Sequence, residues 1–165
     1  MKEKNTPQLN RPEIMFLSFF GTGFLPKAPG TWGSLATIPF LYFLGRFNAP
    51  FFVYIPFLLI VTFISCYIAE MVQNQMKLHD PGWIVIDEVL GMLTTWLFIQ
   101  EHNIYHLALI FVLFRGFDIF KIWPATYFDK KVTHGAGTIL DDIISGIFAG
   151  VTYTGLVLLF QNFSS

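Results

Sequence analysis

Apolar residues in this chain come in long blocks. Four stand out: Phe51 to Ala69, Ile84 to Ile99, Ile104 to Phe120 and Ile139 to Phe160, of 19, 16, 17 and 22 residues. A helix of about 20 residues crosses the hydrocarbon core of a bilayer, and shorter ones cross it when flanking side chains snorkel, so each block predicts a transmembrane helix. A fifth block, Ser34 to Phe47, has 14 residues and contains Arg46, which leaves open a short span or a re-entrant helix. Residues 14–25 form a first apolar stretch, broken by Gly21 and Gly23, after a polar, basic tail of residues 1–13. It has the outline of a signal peptide, but it lacks a small-residue cleavage site and runs straight into a Gly/Pro loop. The pattern predicts an all-α, polytopic integral membrane protein. It has four transmembrane helices plus a short or re-entrant N-terminal membrane helix, in a single domain over residues 1–165, with no internal repeat.

Composition agrees. The chain is 54% hydrophobic and 13% charged, and its 20 phenylalanines are more than one small soluble core would hide. A net charge of −1 excludes a polyanion-binding surface built on excess charge. The single cysteine, Cys66, lies inside an apolar block, so there is no disulfide framework and no cysteine-based zinc site. Where the basic residues lie matters more than their number. Lys77, Lys121, Lys130 and Lys131 fall in the 70–83 and 121–138 loops, against only Arg46 on the other side. The positive-inside rule places those two loops in the cytoplasm.

The acids sort to the same side. Glu70, Asp80, Asp87, Glu88, Asp118, Asp129, Asp141 and Asp142 all lie at that end of their helices or in the loops beyond them. An acid inside a membrane segment costs about 2.5 to 3.5 kcal/mol near the bilayer centre and less toward the interface, so each needs a partner or an aqueous pocket. Adjacent carboxylates such as Asp141 and Asp142 also repel. A divalent cation answers both demands, and an all-oxygen ligand set suits Mg²⁺, with Asp87, Glu88, Asp118, Asp141 and Asp142 as its candidate ligands. The bland reading makes Asp141 and Asp142 helix caps favoured by the macrodipole. Arg115, Asp118 and Lys121 stand at i, i+3 and i+6, a stripe that can hold a phosphate beside a metal or neutralise itself as an ion pair. Gly91, four residues after Asp87, and the Gly146/Gly150 pair below the aspartates let their helices approach closely.

The turn GTGFLPKAPGTWGS, residues 21–34, leads into an apolar helix with free N–H groups, and Gly30, Thr31 and Ser34 are its candidate anion-binding residues. His79 and His134 read as solvated loop histidines, and His102 and His106 as interfacial ones on the opposite face.

Three stretches, PGTWGSLATIPF, HDPGWIVIDEVLGM and FRGFDIFKIWPATYFDKKV followed by GAGTILDDIISG, resemble in order and spacing the motif blocks of the phosphatidylglycerophosphatase A family, from about Phe20 to Gly150. The resemblance implies a Mg²⁺-dependent phosphatase of the bacterial cytoplasmic membrane that converts phosphatidylglycerophosphate to phosphatidylglycerol and phosphate. It carries over Asp80, Asp87, Glu88, Arg115, Asp118, Lys121, Asp129, Asp141 and Asp142. The chain departs from the family pattern at Ile122, at Thr133-His134 and at Lys27, and no departure removes an acid. Both readings make Asp87, Asp118, Asp142, Arg115 and Lys121 the catalytic candidates, with Arg115 and Lys121 on the phosphate. Direct water attack and an aspartyl-phosphate intermediate both stay open. Two alternatives use similar acids. A CDP-alcohol phosphotransferase would show a D-G-x-x-A-R block, which is missing, and a cation transporter would spread its acids through the membrane depth.

Overall fold

The computed structural model describes residues 7–47, 50–78, 81–120, 123 and 135–164, and all its regular structure is helical. A short helix α1 (Pro12–Leu17) is followed by five longer ones: α2 (Pro29–Leu44), α3 (Phe51–Met76), α4 (Ile86–Trp96), α5 (Ile104–Phe120) and α6 (Gly135–Ser164).

Contacts at the helix ends fix the topology. Gly30 at the start of α2 lies against Glu88 at the start of α4, and Gly45 beyond the end of α2 lies against His102 beyond the end of α4. These two helices therefore run parallel, and residues 29–45 traverse the bundle from end to end. Tyr54 near the start of α3 packs edge-on against Trp96 at the end of α4, so α3 runs the other way. Helix α5 is likewise reversed: Arg115 near its end reaches Glu88, while His106 near its start meets Tyr153 well along α6. One end of the bundle thus collects the beginnings of α2 and α4, the acidic part of α6 and the finish of α5. Helix α1 covers this end: the Val85 N–H donates to the Leu17 carbonyl at 2.9 Å, and Arg11 donates to Gln75 at 3.0 Å.

Helix α4 is the centre. All its residues except Glu88 are buried, and it packs against α2, α3, α5 and α6. It is shorter than the predicted Ile84 to Ile99 block, because residues 97–99 tighten into turns bonded to Thr94, Thr95 and Trp96. Eleven helical residues rise only about 16 Å. That length suffices because α4 is sheathed by other helices and need not match a lipid thickness. Its buried hydroxyls are satisfied by its own backbone, Thr94 donating to Leu90 O and Thr95 to Gly91 O.

The outer helices are turned inside out relative to a soluble fold. Phe52, Leu59, Phe63 and Tyr67 on α3, Val112 and Ile119 on α5, and Leu158 to Phe160 on α6 are all exposed. Two helical stretches, Phe52–Met76 and Gly137–Phe163, are long and apolar enough to cross a membrane, and only 22% and 28% of their most apolar windows are buried. Core helices of a soluble protein would be mostly covered, whereas these are not, as in a membrane protein. Pro39 in α2 and Pro56 in α3 interrupt the helical hydrogen bonding without ending either helix.

Candidate functional site

The acids gather at the end covered by α1. Asp87 and Glu88 occupy the first turn of α4, where the exposed N–H groups favour negative charge, and the Glu88 N–H itself bonds to the Asp87 carboxylate at 3.2 Å. Asp141 and Asp142 come from α6. They do not open that helix: it begins at Gly135, and the aspartates sit two turns inside it, 1% and 4% exposed. The capping reading therefore has no basis here, since caps belong to the first turn.

Packing of α4 against α6 brings the two pairs together. Gly91 lies four residues after Asp87 and Gly146 four after Asp142. A methyl group on Gly146 would stand 2.5 Å from the Gly91 carbonyl, and one on Gly91 would stand 2.9 Å from the Asp142 carbonyl. Thr95 ties the contact, its hydroxyl shared between Gly91 O at 2.9 Å and Gly146 O at 3.2 Å. Glycine matters at both positions because any side chain would push the helices, and with them the carboxylates, apart. The result is a trio, Asp87, Glu88 and Asp142, each offering an oxygen within 4.8 Å of the others.

The charges around this trio are arranged, not random. Arg115 projects from α5 with one guanidinium nitrogen 2.5 Å from the Asp118 carboxylate and 3.9 Å from Glu88. Asp118, close to the end of α5 where the macrodipole disfavours an acid, is held by this pair. Asp142 feels the charge of Asp118 and Asp141 as well as Glu88. Glu88 Oε2 is buried and makes no hydrogen bond, nor does Arg115 Nε. A buried carboxylate oxygen without a donor, beside two further carboxylates, fits a hard divalent cation taking oxygen ligands.

The start of α2 closes the site. A side chain at Gly30 would overlap the Glu88 carboxylate and stand 3.3 Å from Arg115, so only glycine lets the α2 terminus sit against these groups. Lys27 and Ala28 adopt left-handed backbone to turn the chain into Pro29. Of the other anion-binding candidates, Thr31 is half-buried on the first turn, and Ser34 is fully buried with its hydroxyl donating to Gly30 O at 2.8 Å. The Ser34 hydrogen is thus spent on the helix, leaving only its lone pairs for other partners.

Asp87, Glu88, Arg115, Asp118, Asp141, Asp142 and Gly30 are thus assembled in one place, whereas Glu70 is exposed on α3. Lys121, Asp80 and Asp129, with His79 and His134, lie outside the described residues. Two features were not read from the sequence: the direct packing of Gly30 on Glu88, and the Thr95 tie to α6. The consecutive threonines Thr94 and Thr95, in a block otherwise built to be buried, were the available signal for the second.

Residues 15–157 match the family model described as Phosphatidylglycerophosphatase A. The Escherichia coli K12 protein named phosphatidylglycerophosphatase A is 35% identical over 151 residues, 91% of this chain and 87% of its own length. Its Haemophilus influenzae namesake is 37% identical over 131 residues, 79% of each chain. A relative from Bacteroides thetaiotaomicron, provisionally named a phosphatidylinositol-3-phosphatase, is 32% identical over 135 residues, 79% of this chain and 84% of its own. No solved structure matches the chain.

Proposed function

The chain belongs to the phosphatidylglycerophosphatase A family, and from that premise we propose that it is a phosphatase that hydrolyses the phosphomonoester of phosphatidylglycerophosphate, releasing phosphatidylglycerol and phosphate. The observation that carries this reading is the convergence of three carboxylates and one guanidinium at the glycine-tipped start of α2.

In this reading Asp87, Glu88 and Asp142 would hold a Mg²⁺ ion, with Asp141 buried beside them. When bound, Mg²⁺ neutralises the phosphate and makes water a better nucleophile. The protein's own groups do the rest. Arg115, anchored by Asp118, presents its guanidinium to the phosphate oxygens and stabilises charge that builds on them during attack. Lys121, six residues past Arg115 in sequence, adds a second cation. The start of α2 lies against the same groups; with the Thr31 and Trp32 N–H groups bonded to Ala28 O at 3.0 and 3.4 Å, its Gly30 N–H is the donor offered to the anion. A water oxygen bonds to phosphorus as the phosphorus–oxygen bond to the glycerol carbon chain breaks. A carboxylate of the cluster takes the water proton, and the leaving alkoxide is protonated from solvent. The substrate's acyl chains stay in the bilayer alongside the exposed apolar faces of the outer helices.

The Lys/Arg asymmetry supports a multi-pass bacterial inner-membrane protein whose acid end faces the cytoplasm. One assay tests substrate and orientation together. Phosphate release is measured in sealed membrane vesicles of both orientations, with a water-soluble short-chain phosphatidylglycerophosphate, phosphatidic acid or phosphatidylinositol 3-phosphate added outside. The reading predicts release only from inverted vesicles and at least about tenfold faster on phosphatidylglycerophosphate, a preference worth roughly 1.4 kcal/mol. Preference for either other lipid would transfer the activity to a different headgroup, and release only from right-side-out vesicles would reverse the orientation.

A further inference from the structure

At the end of the bundle remote from the acids, two recesses meet. One is a cup of about 140 Å³ between the 98–101 turn, the start of α5 and the last turns of α6; its polar wall is Gln100, Glu101, His106, Tyr153, Thr154 and Gln161. The other is a groove of about 360 Å³ between α5 and α6, walled by Leu109, Leu156, Val157 and Phe160, and it shares His106, Val157 and Gln161 with the cup. A polar cup that opens into an apolar, outward-facing groove has the form of a site for an amphiphile. Tyr153 lies 11 residues along α6 from Asp142, about 16 Å of helix, so the recess is separate from the acid cluster.

The chemistry of the wall selects the headgroup. Tyr153 Oη stands 2.6 Å from His106 Nδ1, which occupies the tyrosine hydroxyl with the imidazole. Thr154 donates its hydrogen to Gly150 O at 3.0 Å, so toward the cup it has only lone pairs. Glu101 guards the mouth, its side chain 72% exposed, with His106 Nε2 at 3.6 Å. Among the described residues no lysine or arginine lines the cup. An anionic headgroup would meet the Glu101 charge without a fixed cation to offset it. A primary ammonium brings positive charge to Glu101 and three donors that the Glu101 carboxylate, the Gln100 and Gln161 amide oxygens and the Thr154 hydroxyl can accept.

We propose that this end of the protein binds one aminophospholipid of the leaflet opposite the acids, its ammonium in the cup beside Glu101 and an acyl chain in the α5/α6 groove. The site does not depend on the phosphatase reading, because none of its residues touches the acid cluster. Quaternary ammonium lipids are disfavoured in it, since methylation removes all three donors while keeping the charge.

The test uses the full chain in nanodiscs of equimolar phosphatidylethanolamine, phosphatidylcholine and phosphatidylglycerol, with lipids retained after extraction into detergent counted by native mass spectrometry. Retention of a single phosphatidylethanolamine per chain is expected, falling on the order of tenfold in Glu101→Gln. Leu156→Trp, which fills the groove without touching the charge, should lower it comparably. Melting temperature is read on the same samples, and Leu156→Trp carries the test if Glu101→Gln fails to fold. Phosphate release from phosphatidylglycerophosphate in detergent should stay near wild type in both variants. Equal retention of the three lipids, preference for phosphatidylglycerol, or unchanged phosphatidylethanolamine in a folded variant would overturn the proposal.

Discussion

Asp118 shows how one residue can be identified correctly as unusual and still leave its work undecided. Its place in an apolar block, between Arg115 and Lys121, marks it from the sequence as part of a charged site. The sequence favours a metal ligand over a salt-bridge partner there, although both need the same residue at the same helical position. The structure puts it 2.5 Å from Arg115 and outside the trio of carboxylates within 4.8 Å. We therefore expect Asp118 to act by holding the guanidinium in line with the phosphate. Asp118→Asn should lower turnover about 10- to 100-fold, since a misplaced positioning group costs that much, while the Mg²⁺ concentration for half-maximal rate stays within about twofold. A Mg²⁺ titration of phosphate release decides this, and a large rise in the requirement would return Asp118 to the ligand set. Asp87, Glu88, Asp141 and Asp142 were legible for the same reason as Asp118: acids in apolar runs have no cheap structural explanation. Which of them come within reach of one another was not legible, because it depends on how helices rotate about their axes.

At the level of the element, helix existence was plain from the apolar blocks and helix length was not. Helix α4 is shorter than its block because its surroundings are protein, and α6 begins before its block because GAGT continues the helix into polar sequence. The second difference matters most, since it moves Asp141 and Asp142 from the cap to the interior, where no macrodipole argument accounts for them. Small residues predicted the close approach, and the structure locates it at Gly91, Gly146 and Thr95. Gly146→Leu should force α4 and α6 apart, lowering stability by about 1 to 3 kcal/mol as overpacking does, and cutting turnover more than tenfold. Thr95→Val, which keeps the volume and removes both hydrogen bonds, should show a smaller loss in both, about 1 kcal/mol. Gly155, on the same helix with nothing within 4 Å of its would-be side chain, is the control. If Gly146→Leu melts and turns over like Gly155→Leu, the close contact does not set the spacing of the acids.

The whole molecule has two chemically different ends separated by an apolar girdle. The acids and Arg115 occupy one end, and the cup of Glu101, His106 and Tyr153 the other. The polarity of the described acids along the chain was legible, because alternation of helix direction sorts them to one side whatever the packing. The far cup was not, since it depends on the last turns of α6 projecting beside the 98–101 turn, and residues such as Gln161 carry no signal of their own. We propose that carboxylates from α4 and α6 jointly hold a divalent cation on which phosphomonoester hydrolysis depends. The most direct measurement is binding of Mn²⁺ to the purified protein by electron paramagnetic resonance, followed alongside phosphate release in wild type and Asp142→Asn. We expect saturable Mn²⁺ binding that Mg²⁺ displaces, turnover that tracks occupancy, and a loss of both by more than about tenfold in the folded Asp142→Asn protein. Full turnover after chelation of all divalent ions, or unchanged binding and turnover in Asp142→Asn, would contradict it.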